Sequence, residues 1–101
     1  MEIHATVTGP YFVDGEIDFF GEIDGNAYVR PRGVFNLYGV VIGDLYVQPG
    51  AIVTIHGQVT GCVENGGESV TIYGRVGGIV NLNRERPAVV GFSATIGVSG
   101  Q

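Results

Sequence analysis

The fold of this chain is constrained most by a short, glycine-terminated motif that recurs along nearly all of its length. Six copies can be aligned: Thr6-Val7-Thr8-Gly9, Glu22-Ile23-Asp24-Gly25, Val40-Val41-Ile42-Gly43, Gln58-Val59-Thr60-Gly61, Arg75-Val76-Gly77-Gly78 and Gly97-Val98-Ser99-Gly100. All but the last of these copies follow one another at nearly constant intervals. A period near 18 is short for a two-helix repeat, but it suits one turn of a three-sided β-solenoid with about six residues per side.

Apolar residues keep the same phase in each repeat and form three sides. The first side carries Val7, Ile23, Val41, Val59, Val76 and Val98. The second carries Tyr11, Val13, Ala27, Val29, Leu45, Val47, Val63, Val80 and Leu82, with Asn65 as a polar interruption. The third carries Ile17, Phe19, Phe35, Leu37, Val53, Ile55, Val70, Ile72, Phe92 and Ala94. Alternation of apolar and polar residues indicates strands, because successive side chains of a strand point to opposite faces.

We therefore predict an all-β, single-domain, triangular β-solenoid with about 18 residues per turn and about five to six turns. The domain spans residues 1–101: a short first coil at 5–20, regular coils at 21–82, a loop insertion at 83–87 and a final coil at 88–101. Gly25, Gly43, Gly61 and Gly78 are expected at a corner that requires positive φ or close packing.

Charge and composition limit the partners of such a solenoid. The chain has no Lys, five Arg and ten acidic residues, and six of the acids lie between Glu2 and Asp24, a segment without a base. This charge disfavours nucleic acid as a partner. No apolar window of about 18 residues occurs, so membrane contact is expected to be peripheral at most. A single cysteine, Cys62, and a start without a basic and apolar leader favour the cytoplasm.

Two segments carry a family resemblance: VIGDLYVQPGAIVTIHGQVTGCV at 41–63 and ESVTIYGRVGGIVNL at 68–82. Both are similar to the bactofilins, bacterial polymer-forming cytoskeletal proteins, and the likeness covers about residues 21–82. The resemblance implies a right-handed β-helix that assembles end to end into nonpolar filaments without a nucleotide. It also implies a scaffold role near the inner face of the membrane. The chain differs in lacking charged or Pro-rich tails around the core.

A right-handed helix is favoured, and a second resemblance gives a left-handed hexapeptide-repeat helix as the alternative. Ile23, Val29, Phe35, Val41, Val47, Val53 and Val59 follow one another at intervals of six, as in left-handed hexapeptide-repeat helices. Many of those proteins are acyltransferases, which need a His general base. The only histidines are His4, in a terminus expected to fray, and His56. We predict no catalytic, metal-binding or cofactor-binding residue, and therefore no enzyme.

Self-assembly is predicted from the ends, since no segment is expected to cap the open strand edges of the stack. Candidate end-to-end contacts are the apolar residues of the first and last coils, Ile3, Val7, Phe12, Phe19, Phe20, Phe92 and Val98. A candidate lateral or partner surface is formed by Tyr28, Tyr38, Tyr46, His56 and Tyr73. His56 is expected to stack in a vertical row with Phe20, Tyr38, Tyr73 and Thr95.

Three functions are compatible with these features. The favoured one is a non-enzymatic scaffold whose partner is itself, with another protein as a further partner. The alternative is a small acidic monomeric binding module of the inhibitor or immunity type, which would use the acidic first coils and exposed tyrosines against a basic partner. The third is an acyltransferase-like protein that depends on His56.

Overall fold

A computed structural model describes residues 2–66, 69–81, 89–90 and 95–96. These residues form short strands without a helix, and they build about four stacked turns of a β-solenoid with about 18 residues per turn. The first eight strands are β1 (Glu2–Ile3), β2 (Thr6–Thr8), β3 (Tyr11–Val13), β4 (Glu16–Phe19), β5 (Glu22–Asp24), β6 (Ala27–Val29), β7 (Val34–Leu37) and β8 (Val40–Ile42). The others are β9 (Leu45–Val47), β10 (Ile52–Ile55), β11 (Gln58–Asn65), β12 (Ser69–Ile72), β13 (Arg75–Asn81), β14 (Val89–Val90) and β15 (Thr95–Ile96).

The strands stack into three faces, each made of parallel pairs between neighbouring coils. The first face contains β2, β5, β8, the start of β11, the start of β13, and β15. The second face contains β3, β6, β9 and the ends of β11 and β13. The third face is one sheet in the order β1-β4-β7-β10-β12-β14. The predicted all-β solenoid with three strands per turn is therefore confirmed, although the described residues make about four turns and not the five to six predicted.

Strand register confirms the period read from the sequence. Along the first face Thr6 pairs with Glu22, followed by Val40, Gln58 and Arg75, so each partner stands at the same place in its own copy of the glycine motif. The first of these steps is shorter than the second, and the short first coil is thus real. Stacking nevertheless begins before residue 5, since β1 already pairs with β4. The predicted loop at 83–87 lies outside the described residues.

The register on the second face corrects the predicted apolar row by one residue. Val63 is opposite Ile79, and Asn65 is opposite Asn81, whereas the sequence predicted Val80 and Leu82 in this row. The cause is a bulge between Val59 and Cys62, which gives β11 one more residue than β13 at the corner. Val80 consequently faces outward and is 44% exposed.

The final coil is also shifted relative to the prediction. Ile72 pairs with Val90, so the third-face row continues through Val90 instead of Phe92 and Ala94. Val76 pairs with Ile96, and not with Val98. The two shifts differ in size because the segment from Val90 to Ile96 is longer than the equivalent segment from Ile72 to Val76. The sequence placed the extra length of this turn at 83–87, whereas Ile72 and Val90 are one regular turn apart.

The core is the inward row of each face. Phe19, Phe35, Ile23, Leu37 and Leu45 are the bulkiest among its fully buried aliphatic and aromatic side chains. Each such side chain contributes about 1.5–3 kcal/mol when it leaves water. Asn65 is also fully buried and stands in the row of Val47, where the sequence predicted a polar interruption.

Glycines at the corner between the third and first faces have a steric role. They are Gly21, Gly39, Gly57 and Gly74. A Cβ on Gly57 would overlap the carbonyl oxygen of Gly39 in the preceding coil, and Gly39 and Gly74 are confined in the same way. That carbonyl accepts the N–H of Gln58 at 2.9 Å, so the corner is closed by a hydrogen bond as well as by close packing. Only a residue without a side chain fits here.

The glycines predicted at the corner between the first and second faces are confirmed at three positions. Gly25 and Gly43 have φ of 137° and 149°. A Cβ on Gly61 would meet the Gly43 carbonyl oxygen at 2.6 Å. The fourth position is Gly77 and not Gly78, because Gly77 is the residue that lies against Gly61.

None of the described residues belongs to a helix that could cross a membrane.

Candidate functional site

The apolar core is open at the N-terminal end of the stack. Ile3 and Val7, both predicted end contacts, are half-buried and pack against the core together with Tyr11. One coil further in, the residues paired with these three are Phe19, Ile23 and Ala27, and all three are 0% exposed. The exposure differs because the inward residues of an inner coil are covered by a neighbouring coil on each side. In the described part of the chain, the first coil has such a neighbour on one side only.

The same end presents unpaired backbone groups. Ala5 and Gly9, which flank β2, direct their polar groups towards β5: Glu22 N donates to Ala5 O at 3.0 Å and Gly9 N to Asp24 O at 2.8 Å. Backbone groups of alternate residues in a strand point to opposite edges. The N–H and C=O groups of Thr6 and Thr8 therefore point outward from the stack, where the described residues include no partner strand.

Three of the four phenylalanines predicted as end contacts lie within the described residues. Phe19 is fully buried beneath Ile3, so it is a core residue and not an end contact. Phe12 and Phe20 are 48% and 41% exposed, but they project sideways and stack on rings of the next coil. Phe92 and Val98 lie outside the described residues.

One stack of rings, here called the long ring ladder, runs along the edge of the third face. It consists of His4, Phe20, Tyr38, His56 and Tyr73, with successive centroids 4.6, 4.7, 4.7 and 5.3 Å apart. Neighbouring planes are within 16° of parallel. The predicted stacking of His56 is confirmed. Thr95 is not in this row, since it pairs with Arg75 on the first face.

Sequence reasoning missed His4, which was expected to fray and instead stacks on Phe20. A signal was present. Each ring of the long ring ladder directly precedes the corner glycine of its coil, and His4 precedes Ala5, whose carbonyl occupies the equivalent position against Gly21. The recurring pair of a ring and a small residue would have identified it.

A second stack, the short ring ladder, occupies the outer row of the second face. It comprises Phe12, Tyr28 and Tyr46, with centroids 5.3 and 4.9 Å apart. Arg30 lies near the Phe12 end of this ladder: its guanidinium is 5.8 Å from the Phe12 ring centroid and 3.3 Å from the Asp14 carboxylate. Because both charged groups are more than half exposed, this ion pair adds little stability.

The Tyr46 end of the short ring ladder lies close to acidic side chains. Desolvation raises the pKa of Tyr46, and the negative charges of Asp44 and Glu64 raise it further. The Tyr46 hydroxyl donates to Asp44 Oδ2 at 3.3 Å. Burial also raises the pKa of Tyr11. Both phenols therefore stay protonated to higher pH in the folded chain.

A polar ladder follows the corner between the first and second faces, and the residue types alone do not reveal it. The backbone N–H of Asp44 donates to Asn26 Oδ1 at 3.0 Å, and the N–H of Cys62 donates to Asp44 Oδ1 at 2.9 Å. Each side chain thus satisfies a backbone donor of the next coil. Asp44, which could suggest an acidic catalyst or a ligand, is occupied in this structural role.

The surroundings of His56, the histidine on which the acyl-transfer hypothesis depends, are mainly aromatic. Its ring is stacked between Tyr38 and Tyr73, and no hydrogen-bonded carboxylate orients it within the described residues. In the same part of the chain, no group of three His, Cys, Asp or Glu side chains could hold a metal ion. The candidate surface residues Tyr38, His56 and Tyr73 are exposed, whereas Tyr28 and Tyr46 are half-buried within their ladder.

Comparison with protein-family models, with curated proteins and with solved structures found no match to this chain.

Proposed function

We propose that this chain is a non-enzymatic structural protein that assembles end to end by β-solenoid stacking, as a bactofilin-like scaffold in the cytoplasm. The observation that carries the proposal is the open N-terminal end, where half-exposed core residues and unpaired backbone groups lie together. An exposed strand edge is a template for pairing, and natural solenoids commonly cover theirs.

Two contributions would stabilise end-to-end association at this surface: burial of apolar side chains and pairing of backbone groups. A second chain laid on the first coil would bury Ile3, Val7 and Tyr11 to the level of their equivalents one coil inward. It would also give partners to the outward N–H and C=O groups of β1, β2 and β3. Burial drives the association, and backbone pairing fixes its geometry.

Sedimentation velocity from micromolar to near-millimolar protein, at low and moderate salt, tests this proposal. The expected result is a sedimentation coefficient that rises with concentration, with filaments visible by electron microscopy in the fast fraction. A monomer throughout that range would contradict it.

A matched pair of variants locates the contact. Thr8→Pro removes an outward N–H while leaving the hydrogen bonds that Ala5 and Gly9, on either side of β2, make with β5. It should reduce assembly, whereas Thr8→Ala keeps the N–H and should assemble as the parent does. Unchanged assembly of Thr8→Pro would place the contact elsewhere.

The alternative is a small acidic binding module, which is favoured by the ring edges of Tyr38 and Tyr73, 44% and 45% exposed. Exposed tyrosines are common at protein interfaces. A chain that stays monomeric and binds a basic protein through this surface, with loss of binding on Tyr38→Ala, would support this function instead.

A further inference from the structure

Both ends of the described stack leave strands open on the same two faces. On the third face, β1 and β14 each have one described neighbour, β4 and β12. On the first face the same is true of β2 and β15, which pair with β5 and β13. At each end the third-face strand precedes the first-face strand along the chain, so the two ends present the same order and direction.

We propose that the chains join head to tail, with β14 and β15 of one copy pairing in parallel with β1 and β2 of the next. This inference rests on the proposed end-to-end assembly, and it makes the filament polar, in contrast to the nonpolar filaments that the bactofilin resemblance implies. Every strand pair in the described chain is parallel, and only a head-to-tail joint continues that pattern, because a two-fold joint between like ends would be antiparallel.

The ladder register fixes which residues meet. The third-face row that passes through Ile3, Phe19, Leu37, Ile55 and Ile72 reaches Val90 in β14. Val90 therefore lies next to Ile3 of the following copy. On the first face the row from Val7 to Val76 reaches Ile96, which lies next to Val7 of the following copy. The strand register thus continues across the joint on both faces.

Backbone groups at the two ends are also complementary. Tyr73 N donates to Ile55 O at 2.7 Å, as Phe20 N donates to Ile3 O at 2.8 Å, so residues of this row direct their polar groups to the following coil. Val90 and Ile96 continue these rows, so their backbone N–H and C=O groups point away from the preceding coil, towards the following copy. The first coil offers the opposite phase, since Thr6 and Thr8 point away from β5. Donors therefore meet acceptors without a shift of register.

Charge opposes the alternative joint. The segment that ends at Asp24 contains six acidic residues and no Lys or Arg, whereas the rest of the chain contains four acids and all five arginines. Glu2 and Glu16, on β1 and β4 at the N-terminal end of the third face, are exposed. Two N-terminal ends in contact would bring like charges within about the 8 Å screening length of physiological salt. A head-to-tail joint avoids this repulsion.

Disulfide cross-linking in a Cys62→Ser background tests polarity and register together. The rows place residues 95 and 6 of adjacent copies opposite each other, at the spacing of paired parallel strands, about 4.8 Å, which lies within the Cα range of a disulfide. Thr6→Cys and Thr95→Cys single variants are assembled separately and as an equal mixture, then oxidised. The double variant is treated in the same way.

Head-to-tail stacking predicts covalent dimers only in the mixture, and a ladder of dimers, trimers and longer species from the double variant. Dimers formed by Thr6→Cys alone would overturn the inference in favour of a joint between like ends. Assemblies that sediment normally but cross-link in none of the samples would overturn the register. A chain that never sediments above monomer would instead refute the proposed function, so the two failures are distinguishable.

Discussion

Replacing Gly57 with Ala tests whether close packing at the corners, and not backbone conformation, makes this row of glycines necessary. A Cβ at position 57 would overlap the Gly39 carbonyl oxygen of the preceding coil, whereas non-bonded heavy atoms need about 3.5 Å. The two coils lie about 4.8 Å apart and must separate locally by on the order of 1 Å to admit the methyl group.

The cost follows from the contacts that this separation weakens. Gln58 N donates to Gly39 O at 2.9 Å, and Gly57 N donates to Leu37 O at 2.9 Å. The adjacent His56 ring stacks on Tyr38 at 4.7 Å. Two hydrogen bonds at about 1 kcal/mol each, and one ring contact of similar size, give a loss of about 3 kcal/mol. For a domain of this size the melting temperature should fall by roughly 12–24 °C.

Gly50→Ala is the matched control. Gly50 has φ of 86°, but a Cβ there would be 3.6 Å from its nearest neighbour, Arg32 N, so the substitution adds conformational strain without a clash. Its expected cost is about 1 kcal/mol. Chemical denaturation followed by circular dichroism, at one low protein concentration for all variants, measures both losses. Equal losses for Gly57→Ala and Gly50→Ala would refute the steric explanation.

Two further predictions concern the ring ladders. The pKa of Tyr46 is raised in the folded chain, and the phenol of the unfolded chain titrates near pH 10. The contribution of Tyr46 to the free energy of unfolding should therefore not change with pH below about pH 10, and it should fall as the pH rises further, because only the unfolded chain then ionises. Denaturation between about pH 8 and 11.5 should show a shallower fall for Tyr46→Phe, and identical slopes would contradict the pKa shift. Tyr38→Ala removes two ring contacts of 4.7 Å each and should cost about 1–3 kcal/mol, while Tyr38→Phe keeps both and should be near neutral. Equal melting curves for the two Tyr38 variants would show that stacking contributes nothing.

Much of the fold could be predicted because equivalent positions in successive coils of a solenoid require similar residues. An inward residue must stack on its equivalent in each neighbouring coil, so Val41 and Val59 repeat at the interval of one turn. The same reasoning predicted that Tyr38, His56 and Tyr73 would stack, because side chains in one register share one direction.

The strand register was predicted wrongly where two adjacent residues are both apolar. Ile79 and Val80 are adjacent, and either could face inward, so hydrophobicity does not reveal the bulge between Val59 and Cys62. A strand shifted by one residue exchanges its faces. This is why Val80 was predicted inward and lies outward.

Aromatic character alone does not distinguish a core residue from a residue of the ring ladders. Phe19 and Phe20 are neighbours of the same type, yet Phe19 is fully buried and Phe20 is 41% exposed. Their positions in the strand decide between them, because successive side chains of a strand point to opposite faces. The polar ladder from Asn26 to Cys62 was missed because its repeating element is a backbone N–H, which leaves little trace in the residue types.

The spacing of the contacts also determines how the chain acquires its structure. Each strand pairs only with strands of the coils next to its own, and in the described residues no pairing joins the first coil to the last. Folding can therefore begin wherever two adjacent coils meet, and then spread in both directions one coil at a time. Opening follows the reverse order, since each terminal coil is held from one side only. The slowest amide hydrogen exchange is accordingly expected around Phe35, Val41 and Val53, in the coils that have neighbours above and below.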